Sequence, residues 1–361
     1  MESMSDKRAT LVFPAVNQAA VAYLTAAKYR GELTVCAASV ANDDVAEEWG
    51  GLLRLPSIYD DSFAAEFLLL LTNHSVGRML CPVASVHDFM RRFIAKHQLD
   101  LELIGQSPIR QQVEQHRQLM VRANRLQQLV ALCADGAPSL AALEIAGVLR
   151  QASLIYGESN DDKLAALMGV FSSAPKGDVV EIGSLMGRSA FVLLHLAGRF
   201  KTGSVLTVDP WMSGNAVQHD SPQSFQALVD DWDFEVLAEG FHVNMVPFSA
   251  ERHAHLRMAS NDAFEVYSAD EPIHCLTGVR VAYTQEIAVI HIDGNHDYAH
   301  VNRDCELWLS LLVPGAWVIL DDYIWAHGDG PYRVGNTFLQ EQEEHIQRSF
   351  VCGKALFIQF K

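Results

Sequence analysis

Two short acidic stretches carry the residue types that could do chemistry. The decapeptide HIDGNHDYAH at 291–300 holds three histidines and two aspartates directly after an apolar run. Asp321 and Asp322 follow a second apolar run, 28 positions after Asp293. Because carboxylates that crowd together repel one another, a hard divalent cation is a common way to stabilise them. The pattern predicts a metal site of Asp293, Asp321 and Asp322, with Mg²⁺ as the expected ion.

The same residues allow other interpretations. An aspartate after a strand is commonly a solvated loop residue or a helix cap. His296, His300 and Asp293 could together form a zinc cage, although the Asp321–Asp322 pair would then have no role. We expect His291 to be a hydrogen-bonded core histidine, because it alternates with apolar residues in a buried strand.

A glycine-containing turn lies upstream, in the segment VVEIGSLMGRSA at 179–190. The pattern predicts a strand that runs through a tight turn into a helix. Gly183 allows the turn, and Gly187 allows a ligand to approach the start of the helix. Glu181, near the end of the strand, can accept hydrogen bonds from an ammonium or hydroxyl group of a ligand.

A second acidic residue arrives at the spacing of a ribose-binding carboxylate. Asp209 ends the strand-like segment GSVLTVD, 28 positions after Glu181. A nucleotide loop followed by such an acid indicates an adenosine pocket. The loop has the form E-x-G-x-x-x-G rather than the G-x-G-x-x-G that cradles a pyrophosphate. The carboxylate of Glu181 would repel a pyrophosphate and attract a cationic aminoacyl sulfonium.

The order of strand-like and helix-like segments predicts an α/β protein of two domains. We expect a smaller Rossmann-like α/β domain at 1–110, a helical linker at 111–154, and a larger Rossmann-like domain at 155–361. The first strand of the smaller domain is followed by Pro14–Asn17, without glycine, so a second nucleotide site there is not favoured.

Composition excludes several classes of protein. The 361 residues are 49% hydrophobic, which is typical of a folded chain. The net charge of -17 disfavours nucleic acid as a partner. The apolar run Phe63–Leu71 contains Glu66 and is too short to span a membrane. Six scattered cysteines without a secretory leader lead us to expect reduced thiols and a cytoplasmic location.

Residues from about 155 to 361 resemble the class I S-adenosylmethionine-dependent methyltransferases. They are similar in particular to metal-dependent O-methyltransferases of the catechol and macrolide-sugar types. The motifs are VVEIGSLMGRSA, LTVDPW, VIHIDGNHDYAHVNRDCELWLSLLVPGAWVILDDY and FVCGKALFIQF. The resemblance implies a seven-stranded methyltransferase fold and S-adenosylmethionine as cofactor. The cofactor-binding residues it implies are Glu181, Gly183, Ser184, Gly187, Ser189, Asp209, Ser249 and Asp293.

The roles within that set are also implied by the resemblance. Glu181, Gly183 and Gly187 would line the methionine end of the cofactor, and Asp209 would bind the ribose hydroxyls. Ser249, placed after an expected third strand at 243–246, would lie near the adenine.

The resemblance implies a methyl transfer to a hydroxyl of a small molecule, with the divalent cation beside the acceptor oxygen. His296 would remove the proton, and a sugar or other natural-product hydroxyl fits better than a catechol. Tyr323, Trp325 and His327 follow the acidic pair in an aromatic, glycine-rich loop and are expected to contact the substrate. Residues 210–224 could form a lid over the cofactor.

Several alternatives stay open at the level of sequence. The enzyme could methylate nitrogen or oxygen without a metal, or it could be a noncatalytic S-adenosylmethionine sensor. A metallohydrolase built on the three histidines of the decapeptide is a further alternative. The first domain would cover the substrate or mediate association, and we expect a homo-oligomer.

Overall fold

A computed structural model describes residues 8–40, 49, 51–222, 229 and 231–361. The chain divides into two compact units, Met1–Gln118 and Leu119–Lys361, and each is built around its own β-sheet. The predicted α/β class, with a smaller Rossmann-like domain before a larger one, is confirmed.

The first unit contains a five-stranded parallel sheet. Its strand order is β3-β2-β1-β4-β5, as in a Rossmann-like fold, and every pairing is parallel. The central strand β1 is buried throughout because helices cover both faces of the sheet. The strands are β1 (Ala9–Val12), β2 (Thr34–Ala38), β3 (Leu52–Arg54), β4 (Val76–Leu80) and β5 (Glu102–Leu103). The helices are α1 (Gln18–Tyr29), α2 (Phe63–Asn73) and α3 (Ala84–His97).

The second unit contains a seven-stranded sheet of order β11-β12-β10-β9-β6-β7-β8. β12 pairs antiparallel with both of its neighbours, β10 and β11, and the other pairings of this sheet are parallel. The central strands are continuous apolar runs, as expected where both faces of a parallel sheet are buried. The strands are β6 (Asp178–Ile182), β7 (Val205–Val208), β8 (His253–Leu256), β9 (Ile287–Ile292), β10 (Leu312–Leu320), β11 (Ile346–Cys352) and β12 (Ala355–Phe360). The seven-stranded sheet expected from the resemblance is therefore present.

Helices cover both faces of the second sheet. One face packs against α4 to α7 and α9, and the other packs mainly against α10 to α12. None of the described helices is long and apolar enough to cross a membrane. The helices are α4 (Pro108–Ala134), α5 (Ala142–Ala152), α6 (Asp161–Val170), α7 (Arg188–Phe200), α8 (Ser213–Ala216), α9 (Phe234–Ser249), α10 (Ser260–Ser268), α11 (Tyr298–Trp308) and α12 (Gly330–Glu341).

The segment predicted as a helical linker, 111–154, is mostly helical, and part of it packs in the core of the second unit. Helix α4 crosses the division between the units, and its later residues Leu126 and Val130 are buried in the core of the second unit. Ile145 and Leu149 of α5 are buried in the same core. The apolar faces of these helices therefore belong to the second unit, although their glutamine- and arginine-rich outer faces are typical of an exposed linker.

The third strand of the second sheet does not lie where the sequence placed it. Residues 243–246, predicted as a strand, lie within α9, and the third strand is β8. Phe241 and Met245, four positions apart, are buried on one face of the helix, whereas Val243 is exposed. Helical periodicity therefore outweighs the β-propensity of the valines.

Gly183 provides a stability test of the turn after β6. Its φ is +82°, and a Cβ added there would lie 2.1 Å from the carbonyl oxygen of Asp293. We expect Gly183→Ala to lower the free energy of unfolding by at least about 3 kcal/mol, because backbone atoms would have to move. Urea denaturation measures the change.

Gly147→Ala is the matched control. Gly147 is exposed in α5, with no atom within 4 Å of an added Cβ. This variant should gain roughly 0.5–1 kcal/mol from its higher helix propensity. Equal stability of the two variants would contradict the tight packing of the turn against Asp293.

Candidate active site

A cavity of about 880 Å³ lies at the carboxyl ends of the central strands of the second unit. This is the edge at which parallel α/β sheets bind ligands. Most of the site residues predicted from the sequence line this cavity. They are Gly183, Ser184, Ser189, Asp209, Asp293, His296, Asp321, Asp322, Trp325 and His327. The remaining four, which do not line it, are Glu181, Gly187, Ser249 and Tyr323.

Strand register explains why residues distant in sequence meet at this edge. Ile292 of β9 pairs with Ile182 of β6 on one side and with Leu320 of β10 on the other. The backbone N–H of Asp293 then donates to the carbonyl of Ile182, at 2.8 Å, and that of Asp321 donates to the carbonyl of Ile292, at 2.9 Å. The three strands therefore end in step, and the residues that follow them enter one cavity.

Three side chains form the centre of this acidic region. Nε2 of His296 lies 3.6 Å from Oδ1 of Asp293 and 3.5 Å from Oδ2 of Asp322. Potential ligand atoms of these three residues all lie within 4.8 Å of one another. Asp321 is 5% exposed, and its Oδ1 has no hydrogen-bond partner. Asp293 therefore belongs to two groups of potential ligands, one with His296 and Asp322 and the other with His291 and Asp321. The roles of these residues as metal ligands and base stay predictions.

Two lysines that the sequence analysis did not select contact the same carboxylates. Lys163 of α6 is 1% exposed; its Nζ contacts Asp321 and lies 3.3 Å from Oδ2 of Asp293. Lys354, in the turn between β11 and β12, lies 2.6 Å from Oδ1 of Asp322. A single lysine at the start of an otherwise apolar helix was the available signal for Lys163, because such a cation must pair when it is buried.

These contacts shift the pKa values of the cluster in opposite directions. Burial, and then the negative charge of Asp321, raise the pKa of Asp293 to about 6. Burial would also raise the pKa of Asp321, but the Lys163 ammonium outweighs it and holds that pKa below its usual range. Burial alone lowers the pKa of His296, whereas Asp293 and Asp322 outweigh it and raise the pKa. His296 is therefore more basic than an isolated histidine.

Glu181 does not face the cavity as predicted. It is fully buried, and its Oε1 lies 3.0 Å from Nδ1 of His291. Its position within β6, one residue before the strand ends, directs it to the same sheet face as its register partner His291. Nε2 of His291 lies 3.8 Å from Asp293 and 3.9 Å from Asp321. The prediction that His291 is a hydrogen-bonded core histidine is confirmed, and Glu181 supports the acidic region from beneath.

Asp209 shapes the glycine turn. Its Oδ2 accepts hydrogen bonds from the backbone N–H groups of Ser184, at 2.9 Å, and Leu185, at 3.1 Å. Its Oδ1 accepts one from the N–H of Trp211 at 2.9 Å. Burial raises the pKa of Asp209 above its ordinary value, although these hydrogen bonds oppose the shift. The carboxylate both lines the cavity and orders its wall.

Local packing explains why Gly187 and Ser249 do not line the cavity. An added Cβ at Gly187 would meet Phe241 and Met245, so this glycine serves the packing of α7 against α9 rather than ligand access. Ser249 ends α9, where its hydroxyl is 2.9 Å from Nδ1 of His253. Because β8 begins after Ser249, the predicted adenine contact lacks its structural basis.

Ser260 and Asn261 are two cavity residues that the sequence analysis missed. They follow β8 at its carboxyl end and line the cavity. The misplaced third strand is the reason they were overlooked. Asp304 of α11 also lines the cavity and is hydrogen-bonded to Ser260.

The loop after the acidic pair contributes an aromatic wall. The Trp325 ring lies 4.7 Å from the His296 ring and 5.3 Å from the His327 ring, measured between centroids. Tyr323 instead packs against Tyr332 of α12, with centroids 5.1 Å apart. Trp325 and His327 can therefore face a ligand, whereas Tyr323 is directed away from the cavity.

Residues 213–222, here called the strap, are bound to the loop that carries His296. Oδ2 and Oδ1 of Asp297 accept hydrogen bonds from the backbone N–H groups of His219 and Asp220, both at 2.8 Å. Oδ2 of Asp220 in return accepts one from the N–H of Tyr298, at 2.9 Å. This reciprocal pair of aspartates fixes the strap against the start of α11.

The strap also reaches His296 itself. Nε2 of Gln218 lies 3.4 Å from Nδ1 of His296. The strap corresponds to most of the lid predicted at 210–224, of which residues 223 and 224 lie outside the described part of the chain. The lid segment therefore contacts the predicted catalytic histidine.

Comparison with known proteins supports a methyltransferase domain in the second unit. A family profile described as "Methyltransferase domain" matches residues 180–323. No curated protein matches the chain. The O-methyltransferase NovP is similar in structure over 66% of this chain and 99% of its own, at 15% identity and a TM-score of 0.44.

Two further solved structures show similarity at the same low level. CalS11, a TDP-rhamnose 3'-O-methyltransferase of calicheamicin biosynthesis, is similar over 66% of this chain and 92% of its own, at 13% identity and a TM-score of 0.34. TomG from Streptomyces achromogenes is similar over 62% and 91%, at 15% identity and 0.35. The domain assignment rests on the family match and on the strand order described above.

Asp297→Ala should release the strap. Without the carboxylate, the N–H groups of His219 and Asp220 lose their acceptors, so we expect hydrogen exchange of the strap amides to accelerate at least about tenfold. Hydrogen-exchange mass spectrometry measures the change, with Asp270→Asn, an exposed substitution in another loop, as the control. Unchanged exchange would show that Asp297 does not hold the strap.

Asp304 gives a pH-dependent stability prediction. Burial raises its pKa to about 6. Because its unfolded pKa is near ~3.9, the stability it contributes at low pH is lost as the pH rises through 6. Asp304→Asn should therefore be more stable than the wild type at pH 8, by up to about 3 kcal/mol, with roughly two-thirds of that difference gone at pH 4.5.

Urea denaturation at both pH values tests this expectation. Asp262→Asn, at an exposed position of α10, is the control and should change stability little at either pH. A difference for Asp304→Asn that does not vary with pH would contradict the elevated pKa.

Proposed function

We propose that the methyltransferase domain of the second unit, of the class I S-adenosylmethionine-dependent type, methylates a hydroxyl group of a small molecule with the help of a divalent cation. One observation carries the proposal. The glycine turn of β6 and the cluster of Asp293, His296 and Asp322 line the same cavity. A methyl donor and an activated hydroxyl could therefore meet in one enclosed space.

The cavity has features suited to S-adenosylmethionine, which supplies the methyl group when bound. Ser184 is 3% exposed and its hydroxyl has no hydrogen-bond partner, although it lines the cavity. A buried hydroxyl without a partner is costly unless a ligand completes its hydrogen bonds. Asp209 lies at the end of β7, where a ribose-binding acid is expected, and Ser260 and Asn261 lie at the end of β8.

The acidic region suits a divalent cation, which when bound lowers the pKa of a nearby hydroxyl. Asp293, Asp321 and Asp322 are the residues proposed to hold it. Oδ1 of Asp321 and Nε2 of His296 are buried without hydrogen-bond partners, as expected where an absent group completes the site. A set dominated by carboxylate oxygens favours Mg²⁺ or Mn²⁺.

His296 is proposed to take the proton of the acceptor hydroxyl at Nε2. This atom lies between Asp293 and Asp322, so the imidazolium formed would be stabilised by both carboxylates. The same carboxylates raise the pKa of His296, which strengthens it as a base. Trp325, packed on the imidazole, would restrict its movement and shield it from water.

The acceptor is proposed to be an oxygen nucleophile, such as a sugar or natural-product hydroxyl. An amine can attack the methyl group without losing a proton first, whereas an alcohol is a weak nucleophile until it is deprotonated. A base beside a cation site is thus more useful for oxygen than for nitrogen. The Trp325 ring offers an apolar surface to one face of such an acceptor. The cytoplasmic location and assembly into homo-oligomers stay predictions.

Metal removal tests the cation. With an accepted hydroxyl substrate, we expect EDTA to lower the rate of methyl transfer at least about 100-fold, because the carboxylates alone repel the developing alkoxide. Excess Mg²⁺ should restore the rate, while the affinity for S-adenosylhomocysteine, measured by calorimetry, changes little. Full activity in EDTA would exclude the metal role and favour the metal-independent alternative.

A panel of sugars, phenols and amines distinguishes the remaining functions. Turnover of amines alone would indicate N-methylation. Tight binding of S-adenosylmethionine without turnover of any acceptor would favour a sensor.

Removal of the proposed base gives a further test. His296→Ala should lower kcat by about 10²–10⁴ and abolish the rise of kcat with pH that a titrating base produces. His274→Ala, at an exposed position outside the cavity, is the control and should leave kcat unchanged. A pH profile of the same shape in His296→Ala and the wild type would contradict the assignment.

A further inference from the structure

Four carboxylates and two ammonium groups share the region beneath and beside the cavity. Asp293, Asp321 and Asp322 lie at its centre, and Glu181 joins them through His291. The two ammonium groups are those of Lys163 and Lys354, which the proposed chemistry does not use.

Lys163 is buried against the carboxylates of this cluster. Its side chain is 1% exposed, and its ammonium contacts Asp321 and approaches Oδ2 of Asp293 to 3.3 Å. Isolated burial of an ammonium is unfavourable by several kcal/mol, so the carboxylates are the reason it can remain inside. Asn160 is the N-cap of α6, and its side chain accepts a hydrogen bond from the backbone N–H of Lys163. This cap fixes the position of Lys163 in the first turn of the helix.

Lys354 performs the same role from another direction. It projects from the turn between β11 and β12 and lies 2.6 Å from Oδ1 of Asp322. An added Cβ at Gly353, next to it, would lie 2.7 Å from Oδ1 of Asn160 and 3.0 Å from the backbone N of Lys163. The turn therefore packs closely on the start of α6, and both lysines belong to one arrangement.

We propose that Lys163 and Lys354 are fixed counter-cations that, with His291 and His296 neutral, leave the four carboxylates with a net charge of −2, which matches a divalent cation and limits its affinity. The inference rests on the proposed metal role and adds the residues that set charge selectivity. Lys163 contacts Oδ2 of Asp321 and Lys354 contacts Oδ1 of Asp322, so Oδ1 of Asp321 and Oδ2 of Asp322 are contacted by neither lysine. The lysines are positioning residues and do not contact the acceptor.

Binding of Mn²⁺, followed by the electron paramagnetic resonance signal of the free ion, tests this proposal on the full chain. Lys163→Met removes one buried positive charge, so we expect Mn²⁺ to bind about tenfold tighter or more. Lys354→Met should tighten binding by a smaller factor, because Lys354 is 28% exposed and solvent screens it. Lys201→Met, an exposed lysine at the far end of α7, is the control and should stay within about twofold of the wild type.

Competition by Tb³⁺ provides a second measurement. Because each lysine variant leaves one more negative charge, the preference for Tb³⁺ over Mn²⁺ should rise in both variants and not in the control. If Lys163→Met does not fold, as judged by near-ultraviolet circular dichroism, Lys354→Met carries both measurements, since its side chain lies in a turn.

The outcomes separate this inference from the proposed function. Unchanged or weaker Mn²⁺ binding in the lysine variants, with normal binding by the wild type, overturns the inference and leaves the metal role intact. Binding of Mn²⁺ by the variants but not by the wild type supports the counter-cation role and overturns the metal-dependent function. Absence of binding in every protein overturns both.

Discussion

Repulsion among buried carboxylates is the constraint on which the second unit depends. Asp293 and Asp321 follow adjacent parallel strands that end in step, so the sheet forces them together whatever their charge. Their proximity is stable only because cations enter from other parts of the chain. Lys163 supplies one, although burial, and then the negative charge of Asp321, still raise the pKa of Asp293. The proposed divalent cation would add further positive charge to the same carboxylates.

That requirement explains the positions of segments far from the strands. Helix α6 begins with a polar turn and then places Lys163 in an otherwise apolar core. The turn after β11 packs on the same helix start and delivers Lys354. The antiparallel pair β11 and β12 thus completes the sheet, and its turn also supplies a positive charge to Asp322. Lys354 lies within the motif FVCGKALFIQF, but the motif alone does not indicate that its ammonium reaches Asp322.

Sequence reasoning succeeded where a residue's role follows from the backbone. The ends of β9 and β10 could be located from apolar runs, so the proximity of Asp293 to Asp321 and to Asp322 could be predicted. It failed where side-chain direction or tertiary packing decides. Glu181 lies one residue before the end of β6, so its side chain points into the core. The valines of α9 have high β-propensity and led to the prediction of a strand there. Pairing of Lys163 with carboxylates more than a hundred positions away could not be inferred from local pattern.

The position of His296 links the acidic region to the strap. Its Nε2 faces Asp293 and Asp322, and its Nδ1 faces Gln218. If Nε2 accepts a proton, Nδ1 must carry the other hydrogen. The Gln218 amide, whose nitrogen faces Nδ1 in this structure, would then have to turn so that its oxygen accepts that hydrogen. If Nε2 instead binds a cation, the same ring nitrogen is no longer available as a base. Three carboxylates already supply the oxygen ligands that Mg²⁺ prefers, whereas an imidazole would favour a softer metal. The composition of the cluster thus favours His296 as the base.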